Sequence, residues 1–234
     1  MGAECDLVER AVVLLSGGLD SLVSAHLAAS DHQLCLALTC DYGQRAAEAE
    51  MRAAGIQAAR LGIPQRTINL QWLGDICNAA LTQADVQMPH PKTGELDDAE
   101  AAAERARQVW VPNRNAVLLM AGAAHAEALE CGGIVAGFNA EEAATFSDNR
   151  AEFVEAANHL LEYSAANRPR VICPTLGMTK TEMVQAAVAR GVDLCVLHSC
   201  YEAGPRHCWQ CESCRRLQRA LTEAGQWETV GALL

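Results

Sequence analysis

The chain has 234 residues and a mass of 25.0 kDa, and its 18 basic and 29 acidic side chains give a net charge of −11. Half of the residues are apolar and a fifth are charged, which excludes a disordered chain and indicates one globular domain with at most a small appendage. The acidic excess argues against a protein that binds nucleic acid stably.

The first apolar run, residues 11–15, is too short for a signal-peptide core or a membrane span, so we expect a soluble cytoplasmic protein without membrane contact. Seven of the 11 cysteines are scattered singly, mostly within apolar runs: Cys5, Cys35, Cys40, Cys77, Cys131, Cys173 and Cys195. Because disulfide frameworks belong to small secreted chains, we interpret these seven as reduced core thiols.

Short apolar runs alternate with longer helical stretches along most of the chain. Strands are predicted at 11–15, 33–40, 66–70, 133–137 and 171–173, and helices at 21–29, 46–61, 115–130 and 152–166. Uninterrupted apolar strands that alternate with helices are typical of a parallel sheet covered on both faces. The sequence therefore predicts an α/β fold with an open parallel sheet.

Two capping boxes, Asn149 with Glu152 and Thr179 with Glu182, predict helix starts. The acidic, alanine-rich segment 89–107 interrupts the strand–helix rhythm, and its composition favours a surface role as a solvated helix or a flap. After about residue 192 a cysteine cluster replaces the sheet pattern. We therefore predict an α/β domain at 1–191 with a metal-binding tail, 192–234, packed on it.

The first predicted strand runs directly into Ser-Gly-Gly and a helix that opens at Asp20 or Ser21. Glycines let backbone N–H groups approach an anion closely, and a helix start adds a positive dipole end. Asp20 would repel a bare phosphate, so we expect it to hold Mg²⁺ or to orient the loop. The candidate nucleotide-binding residues here are Leu15, Ser16, Gly17, Gly18, Leu19, Asp20 and Ser21.

Ser-Gly-Gly-x-Asp-Ser after a first strand resembles the pyrophosphate loop of the N-type ATP pyrophosphatases, the PP-loop superfamily. Its members adenylate a carbonyl or carboxylate oxygen and release pyrophosphate. Neither the P-loop motif nor the third glycine of the Rossmann fingerprint is present. A plain glycine-containing turn is the alternative, and a six-position motif with five specified residues in the right context argues against it.

Four cysteines crowd into 15 residues near the end of the chain: Cys200, Cys208, Cys211 and Cys214. Four thiolates complete a tetrahedral Zn²⁺ shell and leave no position for water chemistry, so we predict a structural zinc site. An iron–sulfur cluster and a redox-active cysteine pair are the alternatives. His198 and His207 flank the cluster, and we expect them in supporting or surface positions rather than as ligands.

The loop and the tail together resemble the 7-cyano-7-deazaguanine synthase family over nearly the whole chain. The motifs at 41–45, 111–115, 180–182, 198–201 and 208–214 resemble those of the family in order. One segment departs from the family pattern: Glu142 replaces the usual Asp and Phe146 the usual Tyr, whereas Asp148 and Arg150 keep their places.

The resemblance implies an adenine nucleotide alpha hydrolase-like fold, a homodimer, and conversion of 7-carboxy-7-deazaguanine to the nitrile with ATP, Mg²⁺ and ammonia, in queuosine biosynthesis. It implies catalytic roles for Lys180, Arg114 and Asp20. Lys180 is one of only two lysines, with Lys92. Preorganised cations of this kind neutralise charge that develops in a transition state. A surface position for Lys180 and a plain ion pair for Arg114 are the alternatives.

The same resemblance implies further nucleotide contacts at Tyr42, Gln44 and Arg45, and base contacts at Asn115, Glu142, Phe146, Asp148 and Arg150. Asn115 alternatively caps the helix that follows it. Three other functions stay open at this point: a PP-loop tRNA-modifying enzyme of the thiolase or lysidine type, a diverged deazaguanine amide ligase, and a non-catalytic nucleotide sensor.

Overall fold

The computed structural model describes residues 9–234, so Cys5 lies outside the described part of the chain. Its five strands are all parallel and lie in the order β3-β2-β1-β4-β5. They are β1 (Glu9–Leu14), β2 (His32–Asp41), β3 (Gln65–Asn69), β4 (Gly133–Val135) and β5 (Arg170–Ile172). All five strands coincide with the predicted runs, and the open parallel sheet is confirmed.

Nine α-helices occur within residues 9–234: α1 (Leu19–Ala28), α2 (Ala47–Arg60), α3 (Trp72–Asp75), α4 (Ala99–Val109), α5 (Arg114–Ala128), α6 (Ala140–Ala143), α7 (Ala151–Ser164), α8 (Lys180–Ala189) and α9 (Glu212–Glu223). Four of them, α1, α2, α5 and α7, begin and end within two residues of the predicted bounds. None of the helices in the described residues is long and apolar enough to cross a bilayer.

Of the two predicted capping boxes, one forms. The Thr179 hydroxyl accepts a hydrogen bond from the Glu182 backbone N–H, and the Glu182 carboxylate accepts one from the Thr179 N–H at 2.7 Å. The prediction for Asn149 is wrong, because α7 begins one residue later than that box requires and Arg150 occupies its N-cap position. Asn149 lies in a preceding 3₁₀ turn, where its amide donates to Asp148.

Asn115 does not cap α5. The N-cap is Asn113, whose φ of 55° lies in the left-handed region, and Asn115 is already the second residue of the helix. Asparagine enters the left-handed region at lower cost than most residues, so Asn113 can occupy this turn.

Helices cover both faces of the sheet, as predicted. On one face α5 and α7 pack Leu119 and Leu161 against Ile134 of β4. On the other, α1 and α2 place Ala25 and Ala54 against the strands. The chain runs from β1 outward to β3 on one side and returns to β4 on the other, so the strand order reverses between β1 and β4. In open α/β sheets a ligand crevice lies at the carboxyl ends of the strands at such a reversal.

Residues beyond 192 share apolar clusters with the rest of the chain. Leu217 and Leu221 of α9 pack with Leu22 of α1 and Met183 of α8. The buried cysteines of the cluster pack with residues 73–111 in a second group that includes Val109. The division at 191/192 remains a prediction.

Segment 89–107 has the expected exposed face, as at Asp97, but it also packs inward. Leu96 is completely buried, and Arg105 of α4 is buried in an ion pair with Glu212 of α9, with Nε and Oε2 2.7 Å apart. Arg105 and Asp97 bind side chains of α9, which no local pattern reveals.

Candidate active site and metal centre

The phosphate loop (residues 15–21) connects β1 to α1 and is held in place by more distant segments. Gly17 has φ +89°, and a Cβ at this position would lie 2.7 Å from the Glu50 carbonyl oxygen. Its own carbonyl accepts hydrogen bonds from Gln57 Nε2 at 2.7 Å and from the His198 backbone N–H at 2.9 Å. Position 17 therefore needs glycine both for its backbone conformation and for the close approach of α2.

Several donors of the phosphate loop are only weakly engaged. The Gly18 N–H lies 3.4 Å from the Ser16 hydroxyl, and the Leu19 N–H lies 3.4 Å from the Ser199 hydroxyl. Hydrogen bonds of this length are long, so a phosphate oxygen could take over these donors at small cost. The N-cap of α1, Gly18, has no side-chain cap, which leaves the positive end of the helix open to an anion.

Lys180 lies beside the loop and is 5% exposed, so the surface position for it is wrong. Its Nζ lies 2.8 and 3.0 Å from the two carboxylate oxygens of Asp20 and 3.2 Å from Glu142 Oε1. Asn139 donates from Nδ2 to Asp20 at 3.1 Å. The first residues of α1 and α8 and the short helix α6 thus meet at one point.

The charges at this point are linked. Burial alone lowers the pKa of Lys180, but Asp20 and Glu142 outweigh it and hold that pKa above its usual value. Burial raises the pKa of Glu142, but Lys180, Arg216 and Arg114 together more than reverse this and hold that pKa below its usual value. Burial also raises the pKa of Asp20 above its usual value. Two carboxylates thus share one buried lysine beside the phosphate loop.

The opposite wall of the crevice is formed by Arg114 at the start of α5 and by aromatic side chains. The Arg114 guanidinium lies over the Tyr42 ring at 5.4 Å from its centroid. Trp110 and Phe146 lie nearly parallel, with ring centroids 6.2 Å apart and an interplanar angle of 11°. Within the described residues Arg114 forms no ion pair, so the alternative of a plain ion-pair partner is wrong.

These groups enclose a cavity of about 260 Å³, close to the lower end of the ~300–1,000 Å³ of small-molecule sites. Most of the predicted site residues line it: Leu15, Ser16, Gly18, Leu19, Asp20, Ser21, Tyr42, Arg114, Asn115, Glu142, Phe146, Asp148 and Lys180. Gly17, Gln44, Arg45 and Arg150 are not among the lining residues.

The three longer side chains outside the cavity lining brace its walls instead. Gln44 accepts from the Tyr42 N–H at 2.8 Å and donates to the Cys40 carbonyl at 3.1 Å. Arg45 binds Glu202 at 3.1 Å, and Arg150 donates to the carbonyl of residue 143 at 3.0 Å.

Sequence reasoning missed Trp110, Glu50, Asn139 and Tyr201. Trp110 directly precedes the 111–115 motif, so that motif was a signal for it. Glu50 gave no such signal. Its carboxylate accepts from Gln44 Nε2 at 2.8 Å, it forms no ion pair in the described residues, and burial raises its pKa to about 7.

The sulfur atoms of Cys200, Cys208, Cys211 and Cys214 all lie within 4.8 Å of one another, and those of Cys208 and Cys214 are 3.9 Å apart. Four sulfurs placed tetrahedrally about 2.3 Å from one ion lie roughly 3.8 Å apart. In a four-iron cluster each thiolate binds a different iron, which requires a wider spread. The donor set therefore fits a single tetrahedral metal ion.

Backbone N–H groups surround the sulfurs. Cys211 and Gln210 donate to the Cys208 sulfur at 3.2 and 3.4 Å, and Trp209 between them has φ 55° to make this turn. The alternative of surface positions for the flanking histidines is wrong, since His198 and His207 are 5% and 7% exposed. The cluster is closed, with the ligands of a structural site.

A parallel sheet whose order reverses beside the loop 15–21, with a buried lysine bound to Asp20 of that loop, defines a doubly wound α/β protein with a ligand crevice at the carboxyl ends of its strands. Residues 10–225 match the family described as queuosine biosynthesis protein QueC, and the chain belongs to that family.

The chain is similar to the 7-cyano-7-deazaguanine synthase of Pelotomaculum thermopropionicum, at 46% identity over 92% of this chain and 98% of that one. The corresponding protein of Desulforudis audaxviator is 45% identical over the same shares. Among solved structures, the U34-tRNA thiolase NcsA of Methanococcus maripaludis is 16% identical with a TM-score of 0.44, covering 97% of this chain and 73% of that one.

Proposed function

We propose that the protein is an ATP-dependent ligase that converts 7-carboxy-7-deazaguanine and ammonia to 7-cyano-7-deazaguanine, in queuosine biosynthesis. The observation that supports it most directly is the buried Lys180, held by Glu142 and by Asp20 of the phosphate loop. Family membership supplies the substrate class, and the crevice supplies groups suited to the chemistry.

A carboxylate is a poor electrophile at neutral pH and must first receive a leaving group. Attack of its oxygen on the α-phosphate of ATP gives an acyl adenylate and pyrophosphate, and ammonia then displaces AMP to give the amide. The amide oxygen attacks a second ATP in the same way, and loss of AMP and a proton gives the nitrile. Both activations are the same phosphoryl-centre displacement, so one phosphate loop can serve both.

In this proposal Ser16, Gly18 and Ser21 donate to the β- and γ-phosphates, and Asp20 holds Mg²⁺. The ion supplies charge neutralisation on the departing pyrophosphate. Lys180 and Arg114 face the crevice from its two sides and stabilise charge that develops on the α-phosphate and the acyl oxygen. Donors fixed before the reaction, as Lys180 is by its two carboxylates, stabilise such charge best.

We assign the base to the aromatic wall. Phe146 and Trp110 offer flat apolar faces, and the Asp148 carboxylate can accept from the ring N–H and amino group of a guanine-like edge. Asn115 holds this wall by donating to the Asp148 carbonyl at 3.4 Å. Glu142 is committed to Lys180, so we assign it to the lysine rather than to the base.

For the four-cysteine cluster we propose Zn²⁺, which prefers four thiolates in a closed tetrahedral site. We also propose a cytoplasmic homodimer that takes free ammonia. Leu160 and Tyr163 of α7 are 51% and 79% exposed and offer apolar surface to a second copy. Light scattering on the purified protein measures the mass in solution, and a monomer would contradict the dimer.

The function is tested by incubating the purified protein with ATP, Mg²⁺, ammonium and 7-carboxy-7-deazaguanine, followed by mass spectrometry. Nitrile and AMP that form only with the acid present support the proposal. Amide alone would indicate the diverged amide ligase, and no product from the acid would overturn the assignment.

A further inference from the structure

Glu141 of α6 connects the four-cysteine region to the crevice lysine. Its carboxylate is 15% exposed, and its two oxygens serve different partners. Oε1 accepts the backbone N–H of Lys180 at 2.8 Å. Oε2 accepts from Arg219 Nη2 at 2.9 Å and from Arg216 Nη1 at 3.3 Å. One side chain thus contacts both the residue at the active site and helix α9.

The two arginines are themselves fixed by the metal-binding region. Helix α9 begins at Glu212, immediately after Cys211, and includes Cys214, so a metal ion held by these cysteines fixes its first turn. Arg216 is 7% exposed and also binds Glu212 at 2.8 Å. The positions of the guanidinium groups therefore depend on the cluster.

At the other end, both parts of Lys180 are held by one short turn. Its N–H is at the start of α8, where it has no partner within the helix, and Glu141 satisfies it. Its Nζ binds the neighbouring Glu142 at 3.2 Å. Asn139 caps the same turn by accepting the Glu142 N–H at 2.9 Å, while its amide donates to Asp20.

Apolar packing does little to fix this turn. Helix α6 has four residues, none of them fully buried, and an isolated single turn is unstable in water. Together with the Asn139 cap, its ionic contacts to α9 therefore restrain where Glu141 and Glu142 lie, and where they hold Lys180.

We propose that Glu141 is a positioning residue through which helix α9, fixed by the four-cysteine cluster, sets the position of Lys180. The four-cysteine cluster then contributes to turnover as well as to stability. The kinetic part of this inference rests on the proposed function. Its structural part does not, because the position and exposure of Lys180 can be measured without substrate.

The decisive variants are Glu141→Gln and the matched control Asp97→Asn. Asp97 is 75% exposed and binds Arg219 at 2.7 Å and Arg216 at 3.9 Å, but it does not contact Lys180. The chain has only two lysines, so acetylation of Lys180 relative to the exposed Lys92 reports its protection by mass spectrometry, with an internal reference.

We expect Glu141→Gln to raise the Lys180-to-Lys92 acetylation ratio severalfold, with metal content and unfolding midpoint preserved, and Asp97→Asn to leave the ratio unchanged. In the turnover assay Glu141→Gln should lower kcat about 10- to 100-fold with little change in KM for ATP, as a misplaced catalytic group does. Arg219→Gln should act in the same direction, and the double variant should add little to Glu141→Gln.

An unchanged acetylation ratio in Glu141→Gln would overturn the proposal, as would an equal rise in Asp97→Asn. A fall in kcat that merely parallels metal loss would also overturn it, because that is the result of a purely structural role. If the wild type makes no product from the acid, the proposed function fails, and the acetylation ratios alone still decide the positioning role.

Discussion

The phosphate loop and the four-cysteine cluster use backbone N–H groups in opposite ways. At the loop, the N–H groups of Gly18 and Leu19 point at hydroxyls 3.4 Å away, in a cavity open to a ligand. At the cluster, the N–H groups of Gln210 and Cys211 are bound to the Cys208 sulfur, and three of the four cysteines are completely buried. The first arrangement suits a ligand that binds and leaves, and the second suits an ion that stays.

The comparison predicts that damage to the cluster costs stability first. Cys208→Ser should abolish metal binding and lower the free energy of unfolding by about 5 kcal/mol or more, since structural zinc contributes ~10–16 kcal/mol in small metal-folded domains. Elemental analysis and urea unfolding measure both effects, and the wild type should hold about one zinc per chain. The control Cys195→Ser replaces a scattered thiol and should change neither. Iron with visible absorption would contradict the zinc assignment.

Damage to the cavity should cost activity first. Lys180→Ala should lower turnover by about 10²–10³-fold, the usual loss for one preorganised charge-stabilising group, while the metal content is kept. Because Asp20 and Glu142 lose their cation, the free energy of unfolding should also fall, by about 1–3 kcal/mol at their partial exposure. Lys92→Ala is the control on an exposed lysine. Near-normal turnover in Lys180→Ala would remove that lysine from the mechanism.

Glu50 forms no ion pair within residues 9–234, in contrast to Glu142, and burial raises its pKa to about 7 from an ordinary 4.5, which makes stability depend on pH. The folded state binds the Glu50 proton more tightly than the unfolded state does. The favourable contribution of this proton to the free energy of unfolding is therefore complete below pH 4.5 and is lost as pH rises through 7. Glutamine does not titrate, so the variant escapes this loss. When pH is raised from below 4.5 to 8, the free energy of unfolding of Glu50→Gln should therefore increase by about 3 kcal/mol relative to that of the wild type.

Urea unfolding at pH 5 and pH 8 measures the Glu50 effect, and metal content is checked at both values. Glu48→Gln is the matched control on the same helix, because the Glu48 side chain is 95% exposed. Its free energy of unfolding relative to wild type should be the same at pH 5 and pH 8. An equal shift in the two variants would refute a burial effect at Glu50.

Each region also contains a residue in the left-handed conformation, Asn113 beside the cavity and Trp209 at the cluster. Asn113→Ala should lower the free energy of unfolding by about 1 kcal/mol, whereas Asn113→Gly should be close to neutral, because glycine adopts positive φ without a Cβ clash. Equal effects of the two substitutions would show that backbone conformation is not what position 113 selects.

Local sequence patterns predicted correctly those features that depend on residues close together in the chain. The five strands, the phosphate loop, the cysteine spacing and the box of Thr179 and Glu182 all depend on contacts within a few residues. The Asn149 box and the Asn115 cap were wrong by one or two positions, because a 3₁₀ turn and a left-handed residue moved the helix starts. The resemblance predicted that Arg45 contacts the nucleotide and that Arg150 contacts the base. In the fold neither lines the cavity, and both support its walls.

By itself, the sequence determined the class of fold and most of the candidate site residues that line the cavity, since strand periodicity, glycine positions and thiol spacing are local properties. Only the tertiary structure decided that Lys180 is buried against Asp20 and Glu142, that Glu50 forms no ion pair within the described residues, and that Arg105 binds the carboxyl-terminal helix. These features arise from electrostatic partners far apart in the chain, and only the folded backbone brings such partners together.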